Sequence, residues 1–203
     1  MVKWTIAVAA LALVAAPGAA LAPVTGGAAG NFALTDMTGK TVKLSDYRGK
    51  TVVLEWNNPG CPFVQKHYNS GNMQKTQGAA KADGVVWLTI NSGAPGKQGY
   101  MTGKEAQAFV AKEKAAPAAY LLDPKGVVGH GYGAKTTPHM YIVDGAGKLV
   151  YQGGIDDKPT ANPGDIAGAR NHVLAALGEL KAGKPVSVAE TRPYGCSVKY
   201  AGA

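Results

Sequence analysis

Residues 51–62 of this chain read Thr-Val-Val-Leu-Glu-Trp-Asn-Asn-Pro-Gly-Cys-Pro, and this stretch decides the fold that we expect. The first six residues form an apolar run, which is typical of a strand buried on both faces of a sheet. The next four, residues 57–60, are turn formers. Cys61 then precedes Pro62, and proline is favoured at the first position of a helix. The stretch therefore predicts a buried strand, a turn and a helix that begins beside a cysteine.

A second apolar run, residues 85–90, follows after a span that is long enough for a crossover helix. Two such runs joined by a helix are typical of a parallel β-α-β unit. Gly71 lies inside the predicted helix. Because glycine is a poor helix former, we expect Gly71 to interrupt it.

The remaining segments continue an alternating pattern. The sequence predicts a hairpin in residues 31–42, a helix in 102–114 and a short strand in 120–122. Two strands, 140–143 and 149–152, flank a Gly-rich turn and form an antiparallel hairpin. A last helix is predicted from an apolar face of five residues, Ile166, Ala169, Val173, Leu177 and Leu180. The predicted order is βαβ, helix, ββ and helix.

The chain divides into four segments. Residues 1–22 have a positive start, an apolar run too short to span a bilayer and a small-residue end, as a secretory signal peptide does. We expect a flexible Gly- and Ala-rich leader in 23–30, one α/β domain in 31–185 and a tail carrying Cys196 in 186–203. These features predict a secreted or periplasmic protein without stable membrane insertion after signal removal; a retained membrane anchor is the alternative.

The charge distribution argues against a nucleic-acid partner. The formal net charge is +8, spread as single Lys and Arg residues without a long basic run. Nucleic-acid binding proteins usually cluster their basic residues in a patch or stripe. A solvated basic surface is therefore the simplest interpretation, with weak attraction to an anionic membrane as the alternative.

Cys61 is the candidate reactive residue. Only the thiolate is a nucleophile, and the start of a helix favours negative charge, so this position is expected to lower the pKa of the thiol. An inert or disulfide-bonded structural cysteine is the alternative. Cys196 is the only other cysteine, and the oxidising compartment implied by export favours disulfides. We predict a Cys61–Cys196 disulfide, which is either catalytic or structural.

This order of elements, with a cysteine at the start of the first helix, resembles the thioredoxin fold. Local motifs in residues 32–50, 137–151, 154–157 and 192–199 resemble peroxiredoxin-like redoxins of the alkyl hydroperoxide reductase/thiol-specific antioxidant family, in an exported subgroup with a C-terminal Gly-Cys-Ser tail. The resemblance implies an α/β thioredoxin-like fold. Its central mixed sheet is flanked by helices, with an N-terminal β-hairpin extension and a C-terminal tail.

The same resemblance implies a thiol-disulfide or peroxide oxidoreductase. Cys61 is then the nucleophile, Cys196 the possible resolving cysteine, and a cis peptide bond between Thr137 and Pro138 helps to position the substrate. The implied partners are a thiol or disulfide protein or a small peroxide, together with an external thiol reductant. No organic cofactor is required.

Three positions depart from the related families. Val64 stands where thioredoxins carry their second cysteine, which excludes a dithiol within one helical turn. Leu54 and Asn58 stand where peroxiredoxins usually carry Pro and Thr. Peroxidase activity therefore does not follow from the motifs around Cys61.

Glu55 is the one charged residue in the first apolar run. It resembles the buried carboxylate with which thioredoxins relay protons, and it is a candidate general acid or base for the leaving thiol. A Glu at a sheet edge or facing a loop is the alternative.

The second functional hypothesis is a non-catalytic thioredoxin-fold module. Such a module would bind a partner or a copper ion, and its disulfide would be structural. Among the histidines, His139 beside Pro138 is the one candidate copper ligand, but the spacing does not favour a metal site.

Overall fold

The computed structural model of the protein describes residues 22–202. Within them, the strands are β1 Ala33–Asp36, β2 Thr41–Lys43, β3 Val52–Trp56, β4 Val86–Asn91, β5 Ala119–Leu122, β6 Thr136–Thr137, β7 His139–Val143, β8 Leu149–Gly153 and β9 Cys196–Ser197. Apart from its last residue, the predicted signal peptide lies outside the described residues. No helix in residues 22–202 is long and apolar enough to cross a membrane.

A mixed sheet in the order β2-β1-β5-β4-β3-β7-β8 forms the centre of the molecule. β3 and β4, predicted from their apolar runs, are parallel neighbours, and β7 pairs antiparallel with β3. Val52, Leu54 and Trp56 belong to one hydrophobic cluster, whereas Val53 belongs to another. Because side chains alternate along a strand, the two clusters lie on opposite faces of the sheet.

Helices cover both faces of this sheet. Within the described chain they are α1 Pro62–Asn69, α2 Asn72–Ala82, α3 Gly103–Lys112, α4 Val127–Tyr132 and α5 His172–Lys181. α1, α2 and α5 contribute to the cluster of Val53, and α4 contributes to the cluster on the opposite face. Gly71 separates α1 from α2, as predicted, with a φ of 74° that favours glycine. The predicted thioredoxin-like α/β fold is therefore confirmed.

The last helix begins later than its apolar periodicity predicts. Ile166 lies in a separate 3-10 helix, Pro163–Gly168, and α5 begins only at His172. Asn171 has an extended backbone, and its side chain accepts a hydrogen bond from the Leu174 N–H at 2.9 Å. An N-cap of this kind starts a new helix, so the periodic pattern spans two elements.

The leader and the tail both pack on the domain. The sequence predicts a flexible leader in residues 23–30, but the Gly26 N–H donates to the Leu149 carbonyl at 2.7 Å and the Leu149 N–H donates to the Gly27 carbonyl at 2.9 Å. The leader therefore lies along the start of β8. In the tail, β9 pairs antiparallel with β6. This pairing returns Cys196 to the domain.

Candidate functional site

Cys61 lies at the N-terminal cap of α1, where its place before Pro62 predicts it. Its side chain is 0% exposed and packs in a cluster with Val64, Tyr194 and the partly buried Cys196. The start of the helix provides backbone N–H groups and a dipole that favour a thiolate. However, neighbouring side chains cover the Cys61 sulfur in the structure.

The loop before β7 lies against Cys61. The peptide bond between Thr137 and Pro138 is cis. The Cys61 thiol donates a hydrogen bond to the Thr137 carbonyl, with 3.0 Å between Sγ and O. The structure thus brings Cys61 at the start of α1 together with Thr137 and Pro138 of the proline loop.

Cys196 reaches the same place through β9, where it is the register partner of Thr137. Gly195 permits this approach, because it has a φ of 133° and a Cβ atom there would lie 2.0 Å from the Thr137 carbonyl oxygen. Cys196 packs against the hydrophobic cluster that contains Cys61. Both cysteines are free thiols, so the predicted disulfide is not formed in this structure, although its two partners are adjacent.

The two adjacent thiols differ in their tendency to ionise. Burial raises the pKa of Cys61, but hydrogen bonds from Cys196, the Val64 backbone and Thr137 outweigh it and hold this pKa below its usual value. Burial, followed by the hydrogen bond to Cys61 and the charge of that residue, raises the pKa of Cys196 to about 11. Cys61 therefore ionises more readily than Cys196, and it is the better nucleophile of the two.

Glu55 is fully buried in β3, so the edge-facing alternative is wrong. Its carboxylate accepts five hydrogen bonds, and within residues 22–202 none of them comes from Cys61. The donors are Asn57, Tyr68, Gln77, Trp87 and Thr89, at 3.0, 2.8, 3.4, 2.8 and 3.1 Å. Tyr68 is on α1, so the carboxylate is connected to the helix that carries the nucleophile. We call these groups the Glu55 cluster.

A second buried polar group, which the sequence analysis missed, joins α1 to the tail. Lys66 Nζ lies 3.6 Å from Asp156 Oδ2 and donates to the Lys158 carbonyl at 2.8 Å. The Tyr194 hydroxyl donates to Asp156 Oδ1, and His67 Nε2 lies 3.2 Å from that hydroxyl. Asp156 and Tyr194 both lie in motifs that carry the family resemblance, and these motifs are the feature of the sequence that could have indicated this group. We call Lys66, His67, Asp156 and Tyr194 the Asp156 cluster.

His139, the candidate copper ligand, is a core residue. Its Nδ1 lies 3.1 Å from the Tyr141 hydroxyl and accepts from the Lys135 N–H at 3.4 Å. Burial, followed by the charge of Lys135, lowers the pKa of His139 to about 3. In the part of the chain that the structure describes, no group of three or more His, Cys, Asp or Glu side chains is arranged to hold a metal ion.

An open cleft of about 590 Å³ borders the meeting point of α1, the proline loop and the tail. Phe63, Thr136 and Gly195 line it, and each is within two residues of Cys61, Thr137 or Cys196. Arg192 and His172 add ionisable groups to its wall. The cleft is therefore the candidate binding space beside the two cysteines.

Comparisons with known proteins show which solved structures have a similar fold. A solved structure of a hypothetical protein from Sinorhizobium meliloti is 25% identical, with a TM-score of 0.74, covering 87% of this chain and 94% of that one. An uncharacterized conserved protein from Geobacillus kaustophilus is 27% identical, with a TM-score of 0.72, covering 87% and 92%. A putative thiol:disulfide interchange protein DsbE from Chlorobium tepidum is 30% identical, with a TM-score of 0.53, covering 64% and 85%.

The family assignment comes from the sequence. None of the curated proteins compared with the chain matches it. The model of the AhpC/TSA family matches residues 25–152, which include β1 to β7, Cys61 and the Thr137–Pro138 loop. The match ends before the tail, so it does not include Cys196. The chain therefore belongs to the AhpC/TSA family.

Proposed function

We propose that the chain is a thiol-disulfide oxidoreductase in which Cys61 attacks the substrate and Cys196 resolves the product. The observation that carries the proposal is the convergence of two free thiols on Thr137, since Cys61 Sγ lies 3.0 Å from the Thr137 carbonyl oxygen and Cys196 is the register partner of Thr137. The pKa is lowered at Cys61 and raised at Cys196. The AhpC/TSA family supports a thiol-based redox role. The neighbour from Chlorobium tepidum, described as a thiol:disulfide interchange protein, supports a disulfide substrate.

The proposed reaction is a two-step exchange with a disulfide partner. The Cys61 thiolate attacks one sulfur of the partner, forms a mixed disulfide and releases the other sulfur as a thiolate, which takes a proton from solvent. Cys196 gives its proton to solvent and attacks Cys61 Sγ, which forms the Cys61–Cys196 disulfide and releases the second partner thiolate. The pair has then given two electrons to the partner, and an external thiol reductant supplies two electrons that reduce the pair again. The reverse direction is disulfide donation.

A small peroxide is the alternative substrate. The Cys61 thiolate would attack a peroxide oxygen, release an alcohol or water and become a sulfenic acid, from which Cys196 would expel water to form the same disulfide. Asn58 occupies a peroxiredoxin threonine position, and its side chain donates to Gln98 and accepts from the Gly60 N–H, both at 2.9 Å. Because Asn58 is engaged in the loop, we favour disulfide exchange.

The proposal also covers the proline loop, Glu55, the partners and the compartment. The Thr137–Pro138 loop positions the substrate beside Cys61, and proton transfer by Glu55 remains a prediction. The partners are a thiol or disulfide protein and an external thiol reductant, without an organic cofactor. The pattern of residues 1–22 supports export to the periplasm or the exterior, where a disulfide persists.

The reduction potential of the Cys61–Cys196 pair tests the proposal. The protein is equilibrated with glutathione or dithiothreitol buffers, and free thiols are counted by mass. A value within roughly −120 to −270 mV, as in catalytic dithiols, is expected, and its position separates a disulfide donor from a reductase. A value below about −300 mV, or no bond between the two, would favour the non-catalytic binding or copper-handling module.

Two single substitutions separate the roles of the cysteines. Cys61→Ser is expected to abolish reduction of a small aromatic disulfide, because the nucleophile is lost. Cys196→Ser is expected to accumulate the mixed disulfide at Cys61, because resolution is lost. Circular dichroism checks the folding of both variants. A mixed disulfide that forms as fast in Cys61→Ser as in Cys196→Ser would contradict the assignment of the nucleophile.

A further inference from the structure

Residues 191–200, which we call the strap, cross the site from β8 toward α4. At the start of the strap, the Thr191 N–H donates to the Gln152 carbonyl at 3.1 Å. At its end, the Tyr200 hydroxyl donates to the Ala134 carbonyl at 2.8 Å. Cys196 lies between these two attachments, so the strap carries the resolving cysteine over the nucleophile.

The strap also forms backbone hydrogen bonds with the proline loop and the residues before it. Cys196 is paired with Thr137, and the Val198 N–H donates to the Lys135 carbonyl at 3.1 Å. An extended partner segment that pairs with the same loop would compete with the strap for these groups. Cys61 is 0% exposed beneath this layer. A bulky partner therefore reaches Cys61 only when the strap moves.

Tyr194 connects the strap to the buried Asp156 cluster. Its hydroxyl donates to Asp156 Oδ1. Its ring packs edge to face on Phe63, with 5.9 Å between centroids, and Lys66 Nζ lies 5.5 Å from the ring centroid. Tyr194 is two residues before Cys196. The position of its ring and hydroxyl therefore constrains the position of Cys196.

The hydrogen-bonding capacity of the Tyr194 hydroxyl is used on both sides. Because the hydroxyl proton goes to Asp156, His67 Nε2 is the donor to the phenol oxygen. His67 Nδ1 then accepts from Asn72 Nδ2 at 2.8 Å. Burial, opposed by the charge of Asp156, lowers the pKa of His67 to about 4, which keeps the ring neutral. The hydroxyl is thus held by a donor on α1 and by a buried acceptor.

We propose that Tyr194 is a positioning residue whose hydroxyl, held by Asp156 and His67, seats Cys196 against Cys61 and closes the strap over the nucleophile. The inference rests on the proposed function for the redox role of Cys61 and Cys196. It adds the contact that keeps these two cysteines together. Two effects follow from it. The anchor shields Cys61 from external reagents, and it raises the effective concentration of Cys196 at Cys61.

The test compares Tyr194→Phe with Tyr132→Phe. Both variants keep the ring and lose the phenol hydroxyl with its hydrogen bonds, but Tyr132 donates to the Gly30 carbonyl and packs in the hydrophobic cluster on the opposite face of the sheet. The first readout is the rate of Cys61 alkylation by iodoacetamide in the reduced protein, at a pH where Cys61 is ionised, with peptides identified by mass. The second is the disulfide-to-dithiol ratio in a glutathione buffer.

Tyr194→Phe is expected to speed Cys61 alkylation about tenfold and to lower the disulfide-to-dithiol ratio about tenfold, because the hydrogen bond to the Asp156 carboxylate and the one from His67 are both lost. Tyr132→Phe is expected to match the wild type in both readouts. The alkylation gain is also expected in a Cys196→Ser background, where it reports shielding alone. Circular dichroism checks folding.

Thr191→Val is the second variant, for use where Tyr194→Phe does not fold. It removes the Thr191 hydroxyl, which contacts the Tyr151 hydroxyl at 2.7 Å and accepts from the Gly154 N–H at 3.0 Å, and it leaves the Asp156 cluster intact. A smaller gain in alkylation is expected, because only the start of the strap is loosened.

The outcomes separate this inference from the proposed function. If Tyr194→Phe matches Tyr132→Phe in both readouts, the anchor is overturned even when the pair still cycles. If Thr191→Val shows no gain in alkylation, closure of the strap over Cys61 is overturned. If the wild-type pair forms no disulfide but Tyr194→Phe still speeds alkylation of Cys61, the proposed function fails and the anchor stands.

Discussion

α1 contacts two buried carboxylates that are stabilised in different ways. Glu55 accepts five hydrogen bonds, all from neutral side chains of α1, α2, β4 and the turn after β3. Asp156 accepts two, from the Tyr194 hydroxyl and from the Lys158 N–H at 2.9 Å, and it faces Lys66 at 3.6 Å. Its Oδ2 accepts no hydrogen bond within the described chain. The first cluster therefore belongs to the rigid frame. The second couples that frame to a segment at the end of the chain.

The two arrangements meet the same physical requirement. A buried carboxylate loses its hydration, and this loss must be offset by hydrogen bonds or by an opposite charge. Neutral donors suffice at Glu55 because α1, α2 and the neighbouring strand converge on it. At Asp156 the charge of Lys66 completes the arrangement, so removing one partner leaves the other charge buried and unpaired.

The largest expected effect is that of Lys66→Met. Methionine has a similar volume, but Asp156 loses its cation in a site where both side chains are at most 1% exposed. The free energy of unfolding in urea is expected to fall by about 3–5 kcal/mol. Lys181→Met is the matched control, since the Lys181–Asp83 pair is 66% and 34% exposed and is expected to contribute about 1 kcal/mol at most. Equal losses in the two variants would contradict the importance of the buried pair.

A smaller loss is expected for Glu55→Gln. The side-chain shape is kept, but an NH2 group replaces one acceptor oxygen, so at least two buried donors lose their partner. The free energy of unfolding is expected to fall by roughly 2–3 kcal/mol. The rate of disulfide exchange is measured on the folded fraction of the same variant. A fall in that rate with a changed pH profile would favour proton transfer by Glu55, and unchanged stability would contradict its place in the frame.

The most gradual expected effect is a loss of stability in acid. Burial is the main cause that lowers the pKa of His67 from 6.5 to about 4 and that of His139 to about 3. Below pH 6.5 the unfolded chain therefore binds more protons than the folded chain, so stability is complete above pH 6.5 and falls toward pH 4. Each histidine contributes a slope of up to about 1.4 kcal/mol per pH unit.

His67→Gln tests this acid dependence in the Asp156 cluster. Urea unfolding is measured at several pH values, and the slope between pH 6.5 and pH 4 is expected to decrease by the contribution of one histidine. His139, which packs on Tyr141 of the opposite hydrophobic cluster, is expected to supply the remaining slope. A slope that stays the same as in the wild type would show that His67 is not buried and neutral in the folded protein.

The sequence by itself determined the frame of this protein. The apolar run of β3, the turn formers after it and the Cys61–Pro62 step predict a strand, a turn and a helix start, and the structure has all three. The parallel partner β4, the break at Gly71 and the hairpin of β7 and β8 were predictable in the same way. These features are set by neighbouring residues, through periodicity, glycine and proline, so a local pattern is sufficient to indicate them.

Only the tertiary structure decided how the site is closed. The contacts of Lys66 and His67 with Asp156 and Tyr194 join positions that are far apart in the chain, and no periodic pattern specifies such polar partners. Likewise, β6 and β9 have two residues each, which is too short for a detectable alternation. The sequence therefore indicated a reactive Cys61 and a partner Cys196. Their contact depends on the packing of the strap. Because the strap has no hydrophobic periodicity of its own, long-range burial and hydrogen bonding determine its position.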